Sequence, residues 1–586
     1  MKRRLPLFIA IFLLWPLALF AEQPPNIILI MTDDMGYGDL GVHGNPVIHT
    51  PNIDAMAKRS ASMSTFYVSP VCAPTRACLM TGRYNYRTRC IDTYIGRAMM
   101  DTEEVTVAEL LGDAGYATGI FGKWHLGDCY PMRPMDQGFQ ESLIHRGGGI
   151  GQPSDPPGGE GKYTDPILFR NGVEEQQTGY CTDVYYSNAM AFIEKSTQQK
   201  KSFFISLTDN CPHGPFDDVP PEDLATYKAT NLDSSEFPQD KGHKLPAKAD
   251  LDTLARIFAM VTNVDRNIGR LQEKLEALGI ADNTIVIFMV DNGPNTRRYV
   301  AGFNGNKSTV WEGGIRAPFF VQWPVRLKAG HVSDVPSAHI DVLPTLLDAA
   351  GVEKPRSPKL DGRSMLPFLE GKPVNVRDRY LAIQSHRGDQ PVRYNNFMIR
   401  NSQWKLVHPS GFGRESLAGE PNFQLFDLTV DPYELKNVAA SNPDVVKQMQ
   451  AEYDRWFDDV SSTRPDNYAP PRILVGTKHE NPVVLTRQDW RHTNGRPWAR
   501  DSIGHWLLTG TKGTASLHCR FSPSPTAGTA TLRINDDVHA VRLAPNAQTC
   551  DFSNVSLPAG PVSLEVELTH GDKTRGIHQA DLEYVK

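Results

Sequence analysis

Three short runs of almost unbroken apolar sequence constrain this chain most: residues 26–31 (NIILIM), 203–207 (FFISL) and 284–290 (TIVIFMV). Such runs, bounded by polar residues, fit strands covered on both faces. Between the last two, apolar residues recur at Leu254, Ile257, Phe258, Val261, Val264, Ile268, Leu271, Leu275 and Leu278. That is helical spacing, and Gly279 supplies the stop. Strands alternating with helices predict an α/β unit on a mostly parallel sheet flanked by helices. Ligands of such sheets gather beyond the carboxyl ends of the strands. Two of the three runs lead directly into acidic loops there, Thr32-Asp33-Asp34 and Asp291-Asn292-Gly293.

The chain of 586 residues has room for several domains. Its net charge of -6 and lack of a strongly basic block argue against nucleic acid, whose phosphates would be repelled. At the N-terminus, Lys2, Arg3 and Arg4 precede a nearly continuous apolar stretch over 5–20, and Ala21 stands before the polar Glu22 and Gln23. This pattern reads as a signal peptide over 1–21, giving a secreted or periplasmic protein. An uncleaved anchor is the competing reading. The apolar stretch falls short of the roughly 20 residues a membrane span needs, and Pro16 interrupts it. No later segment has the length and apolarity of a span, so no stable membrane span is expected. The eight cysteines include no CxxC pair, which argues against structural zinc. Cys519 and Cys550 are the best candidates for a local disulfide, and connectivity is otherwise open.

Four units follow the leader. Residues 22–374 hold the α/β pattern. Residues 375–460 carry strand candidates at 380–383, 396–399, 405–408 and 424–427 and a closing helix near 443–457, an antiparallel α+β subdomain. The polar, Pro-rich stretch at 461–474 reads as a linker. Over 475–586, short alternating runs such as 529–534 (TATLRI) and 562–568 (VSLEVEL) predict an appended β-sandwich. Trp490, Trp498 and Trp506 there are unevenly spaced. They fit either exposed sugar-stacking rings or the buried core of a cap, and the usual burial of tryptophan favours the cap.

The chemistry lies in the first unit. Asp33, Asp34, Asp291 and the amide oxygen of Asn292 are hard oxygen donors suited to Ca²⁺ or Mg²⁺. Each pair closes a candidate strand, so one sheet edge could present all four. The segment Cys72-Ala73-Pro74-Thr75-Arg76-Ala77-Cys78-Leu79-Met80-Thr81-Gly82-Arg83 resembles the C-x-P-x-R and L-x-T-G signature of the type I, formylglycine-dependent, arylsulfatase-like sulfatases. Further blocks resemble the family in order. Asp33 to Asp39 (DDMGYGD) and Asp291-Asn292-Gly293 look like its metal loops, and Gly122 to Gly127 (GKWHLG) like its second signature. Pro212-His213-Gly214-Pro215 looks like its histidine loop, and Asn306-Lys307 with Glu312 to Arg316 (EGGIR) like its lysine block. The resemblance spans roughly 24–460. No such block lies beyond 460, so the chemistry is not expected to depend directly on the β-sandwich.

The resemblance implies an alkaline-phosphatase-like fold and hydrolysis of sulfate esters. A maturing enzyme converts Cys72 to formylglycine (3-oxoalanine), whose hydrated gem-diol attacks sulfur. The metal, Ca²⁺ ahead of Mg²⁺, is held by Asp33, Asp34, Asp291, Asn292 and residue 72 itself. Lys123 and Lys307 grip sulfate oxygens, and fixed positive charge there offsets the repulsion an incoming nucleophile meets. Arg76, one helical turn after Cys72, reaches toward the nucleophile. His213 protonates or binds the leaving oxygen, and His125 deprotonates the second hydroxyl to expel sulfate. A sulfated glycan is the expected substrate, with Arg146 in the run 145–151 (HRGGGIG), Tyr94 and Trp311 as candidate sugar contacts; His43 and His49 fit the pocket or a surface loop equally. Two rivals stand beside this reading. A phosphate- or phosphonate-ester hydrolase of the same superfamily would use similar groups. A carbohydrate-binding protein on an inactive scaffold is disfavoured because every expected catalytic residue is present.

Overall fold

The computed structural model describes residues 23–245, 250–373, 379–463, 468–494 and 496–585. The expected signal peptide at 1–21 lies outside these residues, as does the boundary expected at 374/375. Among the described residues no helix is long and apolar enough to cross a membrane.

The three apolar runs are the central strands of a ten-stranded sheet. Asn26–Thr32 lies between Phe203–Thr208 and Thr284–Val290, parallel to both. Ala117–Lys123 and Glu141–His145 continue the parallel set beyond Phe203–Thr208. On one side the antiparallel Phe319–Gln322 follows, and beyond it the short strands Ala61–Met63 and Val332–Ser333; on the other, Ile167–Arg170 and Val173–Gln176 add antiparallel pairs. Every residue of Phe203–Thr208 and Thr284–Val290 is buried, so both sheet faces are covered. The helix read from the 254–278 periodicity runs over Leu251–Ala277, and the Asp250 carboxylate caps it by accepting from Thr253 N. It packs with Pro51–Arg59, Cys181–Gln198 and Pro221–Lys228, whereas Cys72–Thr81, Val107–Asp113 and Val342–Ala350 form a second packed set.

A four-stranded antiparallel sheet (Leu381–Gln384, Phe397–Arg400, Trp404–His408 and Gln424–Asp427) follows, with the helix Pro443–Ser461 beside it. The strands lie within a residue or so of their predicted places. The expected linker is less independent than its composition suggests. Within it, the Tyr468 hydroxyl donates to Val460 O at 2.7 Å, and Ile473–Val475 is already a strand of the next domain. Residues 464–467 lie outside the described set.

The C-terminal region is a two-sheet β structure. Its apolar core is shared rather than private: Met99, Cys129 and Met132 of the α/β unit pack into it with Trp490 and Trp506. The three tryptophans therefore divide. Trp490 and Trp506 are buried as in a cap, while Trp498 is half-exposed. Cys519 and Cys550 face each other directly on paired antiparallel strands, both as thiols.

Candidate active site

Because the central strands are parallel, their carboxyl ends share one edge. Asp33 and Asp34 follow the first strand, Lys123 ends another, Asn210 to His213 follow a third, and Asp291 and Asn292 follow the fourth. Cys72 opens the helix Cys72–Thr81, all ten residues of which are buried. That helix is tied to the same edge. Thr75 Oγ1 donates to Asp291 O at 2.7 Å, and Arg76 donates to Lys123 O and to Asp291 Oδ2, each at 2.8 Å. The guanidinium of Arg76 thus braces the acidic loops, 3.7 Å from Asp33, and its hydrogen bonds go to these partners rather than to residue 72.

Cys72 Sγ lies 3.4 Å from His125 Nδ1. The other ring nitrogen, Nε2, is 2.7 Å from Thr93 O. A carbonyl can only accept, so Nε2 carries the proton, and Nδ1 of the neutral ring presents its lone pair to residue 72. Burial, and then the charge of Lys123, pushes the His125 pKa well below the usual histidine value, so the ring is neutral at ordinary pH. His213 is set the opposite way round, with Nδ1 donating to Gly214 O at 2.7 Å and Nε2 facing the site, 3.7 Å from Asp34 Oδ2. Burial lowers its pKa as well, while Asp34 and Asp33 oppose that shift. The Gly-rich run explains how both rings are held. A Cβ on Gly148 would come 2.5 Å from His125 Cε1, and one on Gly149 would come 2.8 Å from His213 Cε1. The backbone packs directly on the two imidazoles, which only glycine permits.

Four acidic and amide groups converge beneath Cys72. Asp34 N donates to Asp291 Oδ1, and Asn292 Nδ2 donates to Asp34 Oδ1 at 2.7 Å. Lys123 Nζ pairs with Asp33 Oδ2, and Lys307 Nζ with Asp34 Oδ1 at 2.5 Å. Burial acts to raise the Asp33 pKa, but Lys123, His213, Arg76 and Lys307 together hold it well below the usual carboxylate range. Asp291 goes the other way, pushed up to about 7 by burial and by the charge of Asp33. Two carboxylates so placed repel each other, and a divalent cation between them would relieve that repulsion.

The donor set fits such an ion. Asp33 Oδ1, Asp34 Oδ2 and Asn292 Oδ1 are buried oxygens without a hydrogen-bond partner, and buried oxygens are rarely left so. Asp33, Cys72 and Asp291 form one group of converging ligand atoms, and Asp33, Asp34 and His213 another. Asp39, by contrast, accepts from Gly36 N and pairs with Arg298, so it is a structural residue of the loop.

Above these groups is a cavity of about 270 Å³, lined by Cys72, His125, His213 and Lys307 together with Val71, Thr93, Gly148 and Ser308. Its outer wall holds Tyr94, Gln152, Arg387, Phe412 and Trp498. Of the sugar contacts expected from sequence, Tyr94 lines it. Arg146 does not: it is buried where the α/β unit meets the β-sandwich, over the Phe169 ring and 3.8 Å from Glu480. Trp311 packs against Phe426. His43 stacks on Tyr37 at 3.9 Å, and His49 is exposed outside the cavity. Arg387, Phe412 and Gln152 escaped the sequence reading, because each is a single residue on a loop with no local pattern to flag it, and Trp498, weighed there as a sugar-stacking or cap residue, carried no sign that it reaches the Cys72 cavity. Trp498 brings the β-sandwich to the cavity wall, although no family block lies beyond residue 460.

The sulfatase family model matches residues 25–352, and the model described as N-sulphoglucosamine sulphohydrolase, C-terminal, matches 303–458. Human arylsulfatase A (Homo sapiens) is 30% identical over 471 residues, covering 74% of this chain and 87% of that protein. Human N-acetylgalactosamine-6-sulfatase is 32% identical over 400 residues, 63% of this chain and 69% of that one. Among solved structures, Ps i-CgsB in complex with k-i-k-neocarrahexaose is 31% identical with a TM-score of 0.63, covering 77% of this chain and 95% of that one. The family model alone spans more than half of the sequence, and the α/β sheet, the Cys72 helix and both acidic loops fall within it. The chain belongs to the sulfatase family: it is a sulfuric ester hydrolase with an alkaline-phosphatase-like fold.

Proposed function

We propose that this sulfatase removes sulfate from a sugar of a sulfated glycan, that its nucleophile is formylglycine made from Cys72 by a maturing enzyme, and that it works outside the cytoplasm after losing residues 1–21. The observation that carries the reading is the contact of Cys72 with the lone-pair nitrogen of a neutral His125, at the base of a cavity walled by Lys307 and His213. The glycan assignment draws on relatives named for an N-acetylgalactosamine sulfate and on the neocarrahexaose complex.

Asp33, Asp34, Asp291 and Asn292 would hold a divalent cation, Ca²⁺ by preference since all are oxygen donors on separate loops. When bound, that cation supplies positive charge to the sulfate oxygens and acidifies an oxygen on residue 72. Matured residue 72 supplies a hydrated aldehyde as nucleophile. The chain's own groups then divide the work. Lys307, in the cavity wall, and Lys123, behind Asp33, place ammonium charge where the sulfate oxygens gather. His213 directs Nε2 toward the site, and in its protonated form that nitrogen donates to the departing alcohol oxygen. Asp34, 3.7 Å away, stabilises the imidazolium. His125 Nδ1 takes the proton from residue 72 that releases sulfate. Its Nε2–H bond to Thr93 O keeps the ring in the accepting tautomer.

The test is mass spectrometry of the residue-72 peptide from the native host, joined to turnover assays. Formylglycine at 72, loss of activity in Cys72→Ala and a preference for sulfate esters over phosphodiesters are expected. An unmodified thiol in fully active enzyme would sink the nucleophile assignment, and faster phosphodiester turnover would favour the rival chemistry.

A further inference from the structure

Trp498 belongs to the β-sandwich and lies beyond residue 458, where the last family match ends, yet it forms part of the Cys72 cavity wall. Its ring is held in place. The indole Nε1 donates to Arg487 O at 3.0 Å, and the ring meets Tyr94 edge-to-face with centroids 5.3 Å apart. Tyr94 is fixed in turn by the Arg387 guanidinium, 4.1 Å above its ring and 4.6 Å from that of Phe412. The loop around Tyr94 is fastened to the sandwich as well. Gln488 Nε2 donates to Thr93 O at 3.2 Å, and Arg491 Nη1 to Ile95 O at 2.5 Å. Trp490 and Trp506 are buried in the sandwich core; Trp498 alone of the three faces the cavity.

Beyond Trp498 the surface opens into a second cavity of about 320 Å³, and Trp498 and Gln152 line both. A sulfate group at residue 72 has no use for this outer wall. A sugar chain has: the C–H face of a pyranose packs on an aromatic ring, and its hydroxyls pair with amides such as that of Gln152.

We propose that Trp498 is a specificity-determining residue on which the sugar next to the sulfated one stacks, so that the substrate is an oligosaccharide running from residue 72 across Trp498 into the second cavity. This rests on the glycan reading above. The β-sandwich is then part of the substrate site and not only a cap on the fold.

The experiment compares Trp498→Leu, which keeps apolar bulk without an aromatic face, with Trp498→Phe, which keeps the face. Each is assayed as full-length matured enzyme on 4-nitrophenyl sulfate and on two sulfated hexasaccharides, one carrageenan-type and one containing N-acetylgalactosamine 6-sulfate. For Trp498→Leu, the ratio of kcat/KM on the preferred hexasaccharide to that on the aryl sulfate is expected to fall roughly tenfold, mainly through KM. Trp498→Phe is expected to stay within about threefold of wild type. Equal ratios in the two variants, or losses that fall alike on both substrates, would overturn the stacking role. If wild-type enzyme cleaves the aryl sulfate and neither hexasaccharide, the glycan reading fails and the subsite fails with it.

Discussion

Lys405 is the hub of a charged cluster that joins the antiparallel subdomain to the active-site loops, and removing it is expected to be costly in a particular way. Its side chain has no exposed surface. Nζ donates to Glu312 Oε1 at 2.9 Å and lies 2.7 Å from Glu434 Oε1, though not aligned for a hydrogen bond. The two carboxylates differ in support. Glu312 also accepts from Tyr67 and Arg316, and although burial opposes it, Lys405, Arg316 and Arg400 bring its pKa down to about 2. Among the described residues Glu434 faces Lys405 and accepts from the Glu312 backbone N–H, and burial pushes it up to about 7. Lys405→Met therefore strands chiefly Glu434. Breaking a buried pair from one side costs about 3–5 kcal/mol. Glu434 escapes part of that cost by taking a proton. Its folded pKa, already raised to about 7 with Lys405 beside it, rises further once that cation is gone, so the folded variant keeps a proton that the unfolded chain lacks from about 4.5 to beyond 7, and its stability falls with rising pH beyond the point where that of wild type levels off. The loss should be larger at pH 8 than at pH 6. It should be largely restored in Lys405→Met/Glu434→Gln, where no charge is stranded. Metal affinity should drop alongside, because the Glu312–Ile315 turn carries Gly314 O, which accepts from Gly293 N beside the metal loop. Urea unfolding followed by near-UV circular dichroism at both pH values measures this. A Lys405→Met loss under about 1 kcal/mol at pH 8, or no recovery in the double variant, would refute the argument.

Chelation should abolish activity, with Ca²⁺ restoring it, and Asp291→Asn should lower the metal content measured by elemental mass spectrometry; full activity in metal-free protein would contradict the donor set. Asp92 is pushed up to about 6 by burial despite its pairing with Arg387. As pH falls through 6, Arg387 loses its counter-charge, so KM for an anionic oligosaccharide should fall between pH 7 and 5 in wild type and stay flat in Asp92→Asn. The burial penalty on ionised Asp92 is present above pH 6 and is relieved as pH drops toward the unfolded value near 4. A chain ending at Ser462 should aggregate, since Met99, Cys129 and Met132 would lose the sandwich core that covers them. A soluble, monomeric fragment with native thermal stability would show that the shared core is dispensable.

Much of the catalytic half was legible because apolar runs stop at acidic loops: the strands at 26–32 and 284–290 and the pairs that follow them stand in one local pattern. The strand Ala117–Lys123 was not legible by hydrophobicity, since ATGIFGK spends two positions on glycine and ends on a charge; Lys123 was found only through its resemblance to a signature. Arg146 was read as a substrate contact from its place in a glycine-rich run. The glycines do serve the site, packing on His125 and His213, but Arg146 turns to the domain interface instead. Arg387, Phe412 and Trp498 come from units that meet only through tertiary docking. No periodicity or motif in the sequence around any of them signals that meeting.

The buried Cys72 helix sets a schedule for the chain. A helix with no exposed residue offers no handle to another protein, so an enzyme that converts Cys72 must reach it before the helix is enclosed. Enclosure requires the Thr75 and Arg76 bonds to Asp291, and the strand leading to Asp291 pairs in parallel with residues near the beginning of the chain. The Cys72 segment would therefore stay open until the strand before Asp291, in the middle of the chain, has been made. On the conversion proposed for Cys72, the order in which the sheet assembles would give a maturing enzyme its time to act.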